Sequence, residues 1–87
     1  MIRSDYLPYF ITVAHTRSIN AAALELGVTP PAVSHALKKL EEELGLILFT
    51  RSPQGVKLTA HGEIILPLAK NALFSINPDR IRGKRVN

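Results

Sequence analysis

The stretch LGVTPPAVSHALKKLEEELG at residues 26–45 decides the fold, because it combines a tight turn with a helix that follows at once. Gly27 suits the left-handed conformation in which helices commonly end. Thr29 is a good N-cap, and Pro30 falls at the first helical position, where a missing N–H costs nothing. Up to Gly45, apolar residues recur at helical spacing, at Val33, Ala36, Leu37, Leu40 and Leu44. The stretch therefore predicts the corner and the second helix of a helix-turn-helix unit.

The segment before this stretch predicts two shorter helices. The first is indicated by the i, i+3, i+4, i+7 spacing of Leu7, Phe10, Ile11 and Ala14. Ser4 is available as its cap, and Pro8 places the start of regular helix near Tyr6, because proline is tolerated only in the first turn. The second helix, in SINAAALELG, begins after its capping residue Ser18 and contains three alanines that favour helix.

The segment after the stretch predicts a hairpin and a fourth helix. In LILFTRSPQGVKLT, residues 46–59, apolar runs flank the turn signal SPQG, which indicates two strands of about three residues each. Thr59 can cap the fourth helix, in which Pro67 removes a backbone hydrogen bond and bends the axis. The order of these parts predicts a mainly α fold, a winged helix-turn-helix with a three-helix core and a short two-stranded wing.

The fourth helix has a wide apolar face for so small a domain, and this favours packing against the same helix of a second copy. The alternative is that the helix folds back on its own domain. The predicted dimer contacts are Ile64, Ile65, Leu68, Ala69, Ala72, Leu73 and Ile76.

The composition points away from catalysis, cofactors and metals in a chain whose 87 residues suit a single domain. His15, His35 and His61 fall on three different segments, and there is no cysteine, so no metal site is expected. We find no glycine-rich phosphate loop and no nucleophile motif, so neither an enzyme nor a bound cofactor is expected. No signal peptide or long apolar run is visible, and we therefore expect a cytoplasmic protein without membrane contact.

The net charge of +4 does not by itself indicate nucleic-acid binding. The last eight residues, RIRGKRVN, hold four of the eleven basic side chains and no acid. Residues 1–79 therefore carry seven basic and seven acidic side chains. Any argument for DNA must consequently come from where the charges lie.

The start of the third helix carries such an argument. A helix N-terminus offers free N–H groups and positive partial charge that suit phosphate, and the prolines fix this first turn before it docks. Ser34 and His35 can reach base edges or phosphate, and Lys38 lies one turn further on, where it can pair with a phosphate. Ser18 and Asn20 can cap the second helix and also contact phosphate.

The run from residue 17 to residue 66 closely resembles the N-terminal domain of LysR-type transcriptional regulators, and the resemblance extends over about residues 4–76. The family pattern combines a Ser–aromatic start, paired alanines, a Leu-x-[Val/Ile]-[Ser/Thr] corner, Pro-Ala-[Val/Leu]-Ser, Leu-Glu-x-x-Leu-Gly, Leu-Phe-x-Arg and Leu-Thr-x-x-Gly. The matching residues are Ser18, Ala22, Ala23, Leu26, Val28, Thr29, Pro31, Ala32, Val33, Ser34, Leu40, Glu41, Leu44, Gly45, Leu48, Phe49, Arg51, Leu58, Thr59 and Gly62.

This resemblance implies sequence-specific promoter binding by a homodimer that pairs through the fourth helix. It implies a DNA-binding domain at 1–58, with the recognition helix at about 30–44 in the major groove and the wing at about 47–58 on the backbone. A linker or dimerisation helix at 59–76 would follow. For residues 77–87 the basic composition without periodicity predicts a disordered tail. The expected partner is double-stranded DNA. From the residues and the resemblance together, the predicted DNA contacts are Ser18, Asn20, Thr29, Pro30, Pro31, Ser34, His35, Lys38, Arg51 and Lys57.

Three departures from the family pattern limit this expectation. Ile19 stands where an aromatic residue is usual, and Pro30 and Ala36 occupy positions where many members carry glutamine. Members generally continue into a larger effector-binding domain, and we expect no small-molecule effector domain in this chain. The alternative function is therefore a truncated dimerising module, which modulates full-length relatives without an operator of its own.

Overall fold

The fold is given by a computed structural model that describes the backbone of residues 4–76 and the side chains of residues 5–72. A 3-10 turn at Ser4–Tyr6 leads into four helices, α1 (Leu7–Thr16), α2 (Ile19–Leu26), α3 (Pro30–Leu44) and α4 (Ala60–Ile76). Between α3 and α4 lies an antiparallel hairpin of β1 (Phe49–Ser52) and β2 (Gly55–Leu58). The predicted winged helix-turn-helix is confirmed, with strands one residue longer than expected. The tail predicted at 77–87 lies outside the described residues.

The helix ends follow the local sequence signals. Ser18 Oγ accepts a hydrogen bond from the Ala21 N–H at 3.0 Å, and Thr29 Oγ1 accepts one from the Ala32 N–H at 3.2 Å. Gly27 and Gly45 end α2 and α3 in the left-handed conformation, as predicted.

Helix α1 begins close to Tyr6, as predicted, but its N-cap differs from the prediction. Its N-cap is Tyr6, which makes no side-chain capping hydrogen bond, and not the predicted Ser4, whose side chain lies outside the described part. The reason is that the 3-10 turn carries the chain directly into the helix, with Pro8 in the first helical turn.

The core lies where α1, α2 and α3 meet under the wing. Its largest fully buried side chains are Phe10, Leu7, Leu40, Leu48, Val13 and Val33. Ala22 and Ala23 are buried on the inner side of α2, where their small size lets the neighbouring helices approach. The rings of Phe10 and Phe49 pack edge to face at 5.5 Å, which ties the first strand of the wing to α1.

The wing also docks on the turn between α1 and α2. The Val56 N–H donates to the Arg17 carbonyl at 3.1 Å, and Arg17 itself has a positive φ of 59°. A Cβ at Gly55 would lie 2.6 Å from that carbonyl oxygen, and the φ of Gly55 is 122°. Glycine is therefore required at the start of β2 by both sterics and backbone conformation.

One part of the apolar surface of α4 packs on its own domain, so the prediction that the whole surface contacts a second copy must be corrected. Ala69 is fully buried, and Ile65 and Ala72 are partly buried against the same core, so these three hold α4 on its own domain. Ile64 and Leu68 instead point outward, 63% and 57% exposed. At 100° per residue the centres of the two groups are roughly 90° apart, so Ile64 and Leu68 form the exposed flank of one apolar surface whose other part is buried. The side chains of Leu73 and Ile76 lie outside the described part.

Candidate nucleic-acid interface

A concave surface lies between the starts of α2 and α3 and the wing. We name it the helix–wing groove, and its residues are Ser18, Ile19, Asn20, Pro30, Pro31, Ser34, Leu37, Lys38, Glu41, Phe49, Arg51, Ser52, Gly55 and Val56. The two halves of this groove share Ile19, Ser34, Arg51 and Val56. Seven of the ten predicted DNA contacts thus come together on one surface, although they are spread over more than thirty residues of sequence.

The cationic groups of the groove stand on opposite walls. Lys38 extends from α3 and Arg51 from β1, and both side chains are exposed. Ser34 lies one helical turn before Lys38, on the same side of α3. The groove therefore combines a hydroxyl group with two positive charges, which suits a polar, negatively charged ligand.

The backbone amides at the start of α3 are not the donors that the sequence suggested. Pro30 and Pro31 have no N–H, and the Ala32 and Val33 N–H groups donate to the Thr29 carbonyl at 3.0 and 3.2 Å. The double proline therefore makes the tip of α3 rigid and removes its free amides. Recognition by this tip must use side chains.

The start of α2 retains the amides that α3 lacks. Ser18 accepts from the third residue of the helix, and the N–H groups of Ile19 and Asn20 belong to the first turn, where no intrahelical acceptor exists. Both residues line the groove. The helix terminus with free donors and positive partial charge is therefore that of α2.

The remaining predicted contacts lie outside the groove. His35 is exposed on α3 beside Ser34, and Thr29 is exposed at the N-cap of α3. Lys57 is on the opposite face of the hairpin from Arg51, because Arg51 pairs with Val56 and strand residues alternate in direction. Lys57 lines a separate depression with Arg17 and Glu63, so the structure does not bring it together with the others.

Two residues that organise this surface were missed by sequence reasoning. Glu41 was identified only as a match to the family pattern, with no role assigned, yet its Oε2 accepts from the Leu48 N–H at 2.7 Å and the Phe49 N–H at 3.2 Å. Arg17 carries the carbonyl on which the wing docks. The partners of Glu41 lie seven and eight residues away across a loop, where periodicity carries no information.

The described helices include none with the length and hydropathy needed to cross a membrane. Within the described residues, no group of three or more histidine, cysteine, aspartate or glutamate side chains is placed to hold a metal ion.

The sequence matches a family model described as "Bacterial regulatory helix-turn-helix protein, lysR family" at residues 4–63. Among curated relatives, the transcriptional regulator ClcR of Pseudomonas putida is 38% identical over 78 residues, which are 90% of this chain and 26% of ClcR. The transcriptional activator AmpR of Pseudomonas aeruginosa is 46% identical over 74 residues, which are 85% of this chain and 23% of AmpR. The chain thus spans about a quarter of the length of these relatives.

Solved structures give the same result. The CbnR DNA-binding domain in complex with DNA superposes with a TM-score of 0.86 and 33% identity, covering 98% of both chains. The BenM DNA-binding domain on catB site 1 DNA has a TM-score of 0.83 and 30% identity, covering 98% of this chain and 91% of that one.

Proposed function

Because this chain belongs to the LysR family of bacterial helix-turn-helix regulators, we propose that it binds promoter DNA sequence-specifically as a homodimer. Helix α3 enters the major groove and the wing contacts the neighbouring backbone. The proposed role is DNA recognition without catalysis, and it takes place in the cytoplasm. We propose no small-molecule effector for residues 4–76. Duplex DNA is the partner in the CbnR and BenM structures, which supports the same partner here.

The observation that carries this proposal is the helix–wing groove itself. It joins a proline-braced helix tip, the free amides of α2, and Lys38 and Arg51 on opposite walls. Phosphate contacts by Lys38, Arg51, Ser18 and Asn20 would fix the position of the domain on the duplex, whereas Ser34 on α3 would reach base edges. Outside the groove, His35 is proposed as a second base contact, and Thr29 and Lys57 as weaker backbone contacts.

The overall test is selection of bound sites from random duplexes. A LysR-type dimer should select a two-fold repeat whose half-sites are separated by whole helical turns. The rival function, a dimerising module without an operator, predicts no enrichment and no duplex binding at either of two salt concentrations.

Lys38→Ala and Arg51→Ala should each weaken binding to every duplex to a similar extent. Each loses one phosphate contact, so the slope of log K against log salt should become shallower by about 0.9. Lys39→Ala is the matched control, because Lys39 is also exposed on α3 but lies outside the groove, 3.9 Å from Glu42. Fluorescence anisotropy titrations at several salt concentrations measure the slopes. Unchanged slopes for both groove variants would contradict the docking mode.

Ser34→Ala and His35→Ala should instead change which base is preferred at one position of the site. A hydrogen bond to a base edge distinguishes that base by about 1–3 kcal/mol, whereas a phosphate contact distinguishes none. Competition with duplexes that differ at single positions measures the effect. An equal loss of affinity for all duplexes would assign these side chains to the backbone.

A further inference from the structure

We propose that Glu41 is a positioning residue, which fixes the wing against the recognition helix so that Arg51 reaches DNA. The inference rests on the proposed function, since it concerns how the wing is fixed relative to α3 in the helix–wing groove. Glu41 is half-buried in the groove on α3, one turn after Lys38. Its role would be exerted through Arg51.

The hydrogen bonds around Glu41 define a clamped segment, residues 47–49, at the base of the wing. Glu41 Oε2 accepts from the Leu48 N–H at 2.7 Å and from the Phe49 N–H at 3.2 Å. From the other side, the Thr59 hydroxyl donates to the Ile47 carbonyl at 2.6 Å and the Thr59 N–H to the Leu48 carbonyl at 2.9 Å. Glu41 therefore connects the clamped segment to α3, and Thr59 connects it to the start of α4.

The clamp is close enough to determine where Arg51 lies. Arg51 is two residues after Phe49 in β1, so both side chains are on the same face of the hairpin. The opposite partner of Arg51 is Val56, whose N–H is bound to the Arg17 carbonyl. The backbone around Arg51 is thus fixed at one end by a carboxylate of α3 and at the other by the α1–α2 turn.

Charge alone predicts the opposite behaviour for this carboxylate. Glu41 lines the same depression as Lys38 and Arg51, where a negative charge repels an incoming phosphate and partly offsets the two cations. If Glu41 acted only through its charge, neutralising it would strengthen DNA binding. A positioning role predicts weaker binding, so the sign of the effect separates the two.

The test compares Glu41→Gln and Glu41→Leu with Glu42→Gln in binding to a selected operator duplex. The glutamine variant can still offer one oxygen to both N–H groups, but its neutral amide accepts more weakly than a carboxylate, so it should bind DNA about tenfold more weakly than the wild type. The leucine variant has no acceptor and should bind more weakly still. Glu42→Gln removes the same charge from the next, exposed position of α3 and should bind equally or more tightly. The titrations are made at a temperature where circular dichroism shows all variants folded.

A double-mutant cycle with Arg51→Ala shows whether the effect passes through Arg51. In the Arg51→Ala background, Glu41→Gln should cost less than twofold, because the contact that it positions is already absent. An undiminished tenfold loss in that background, or Glu41→Gln binding as tightly as the wild type, would overturn the proposal.

Failure of the proposed function gives a different result, namely no binding of operator duplexes by the wild type. The positioning role can then be tested without DNA, by measuring the backbone amide chemical shifts of residues 48–52 by NMR. These should move in Glu41→Gln and stay in place in Glu42→Gln. Identical shifts in the two variants would overturn the proposal whatever the ligand.

Discussion

Replacing Gly62 by alanine is expected to lower the free energy of unfolding by about 3 kcal/mol, the upper part of the usual range for overpacking. The new Cβ would collide with the backbone carbonyl oxygen of Leu48 and lie 2.7 Å from Leu58 Cδ2. The carbonyl cannot easily withdraw, because it accepts the Thr59 N–H at 2.9 Å. The first turn of α4 would therefore have to move away from the wing.

Thermal and urea unfolding followed by circular dichroism measure this effect. For a domain of this size, about 3 kcal/mol corresponds to a fall in Tm of roughly 12–24 °C. Helix propensity alone predicts the reverse, because alanine is favoured over glycine inside a helix by about 1 kcal/mol. Unchanged or increased stability would mean that α4 does not approach the wing this closely.

The matched control is Gly45→Ala at the C-terminal end of α3. A Cβ there meets nothing within 4 Å, but the φ of 69° disfavours any side chain. We expect a cost of about 1 kcal/mol, from backbone conformation alone. The two variants separate two causes, because Gly45→Ala has a positive φ and no steric contact, whereas Gly62→Ala has a steric contact and no positive φ.

The sequence is sufficient for those parts of the fold that depend on neighbours a few residues apart. The caps at Ser18 and Thr29 were predictable because each hydroxyl bonds an amide three residues on. The order of helices and hairpin followed from periodicity and turn residues in the same way. Periodicity did not separate the buried part of the apolar surface of α4 from its exposed flank, because it shows that a residue is apolar without showing what covers it.

The candidate site was predictable in its main residues and not in its support. Ser34, Lys38 and Arg51 do share one surface, which the family resemblance implied and the groove supports. Lys57 was predicted as a further contact, but it lies on the opposite face of the hairpin from Arg51. The face on which a hairpin residue lies depends on the strand register, which is set by tertiary contacts. The hydrogen bonds from the Leu48 and Phe49 N–H groups to Glu41 cross a loop, so no local sequence pattern predicts them.

Replacing both Ile64 and Leu68 by glutamine is expected to convert a dimer into monomers. These residues are one turn apart on the outer face of α4, 63% and 57% exposed, and are therefore free to pack against the same helix of a second copy. Because neither side chain is buried in its own domain, the fold should persist. Sedimentation velocity measures the oligomeric state, and circular dichroism checks the fold.

The same variant should lose at least about 100-fold in affinity for a duplex with two half-sites. A dimer binds its second half-site at a high effective concentration, an advantage of roughly 10²–10⁴ that a monomer lacks. Affinity for a duplex with a single half-site should be unchanged, since the helix–wing groove is untouched. Retained cooperative binding to the full site would place the dimer contact elsewhere.

Leu24→Gln provides the matched control for this prediction. Leu24 is 84% exposed on α2, so the change removes the same kind of apolar surface from a helix outside the proposed contact. It should leave the dimer and the affinity for the full site intact. If Leu24→Gln produced monomers and the α4 variant did not, the exposed leucine of α2 would be the dimer contact, and the outer face of α4 would be ordinary solvated surface.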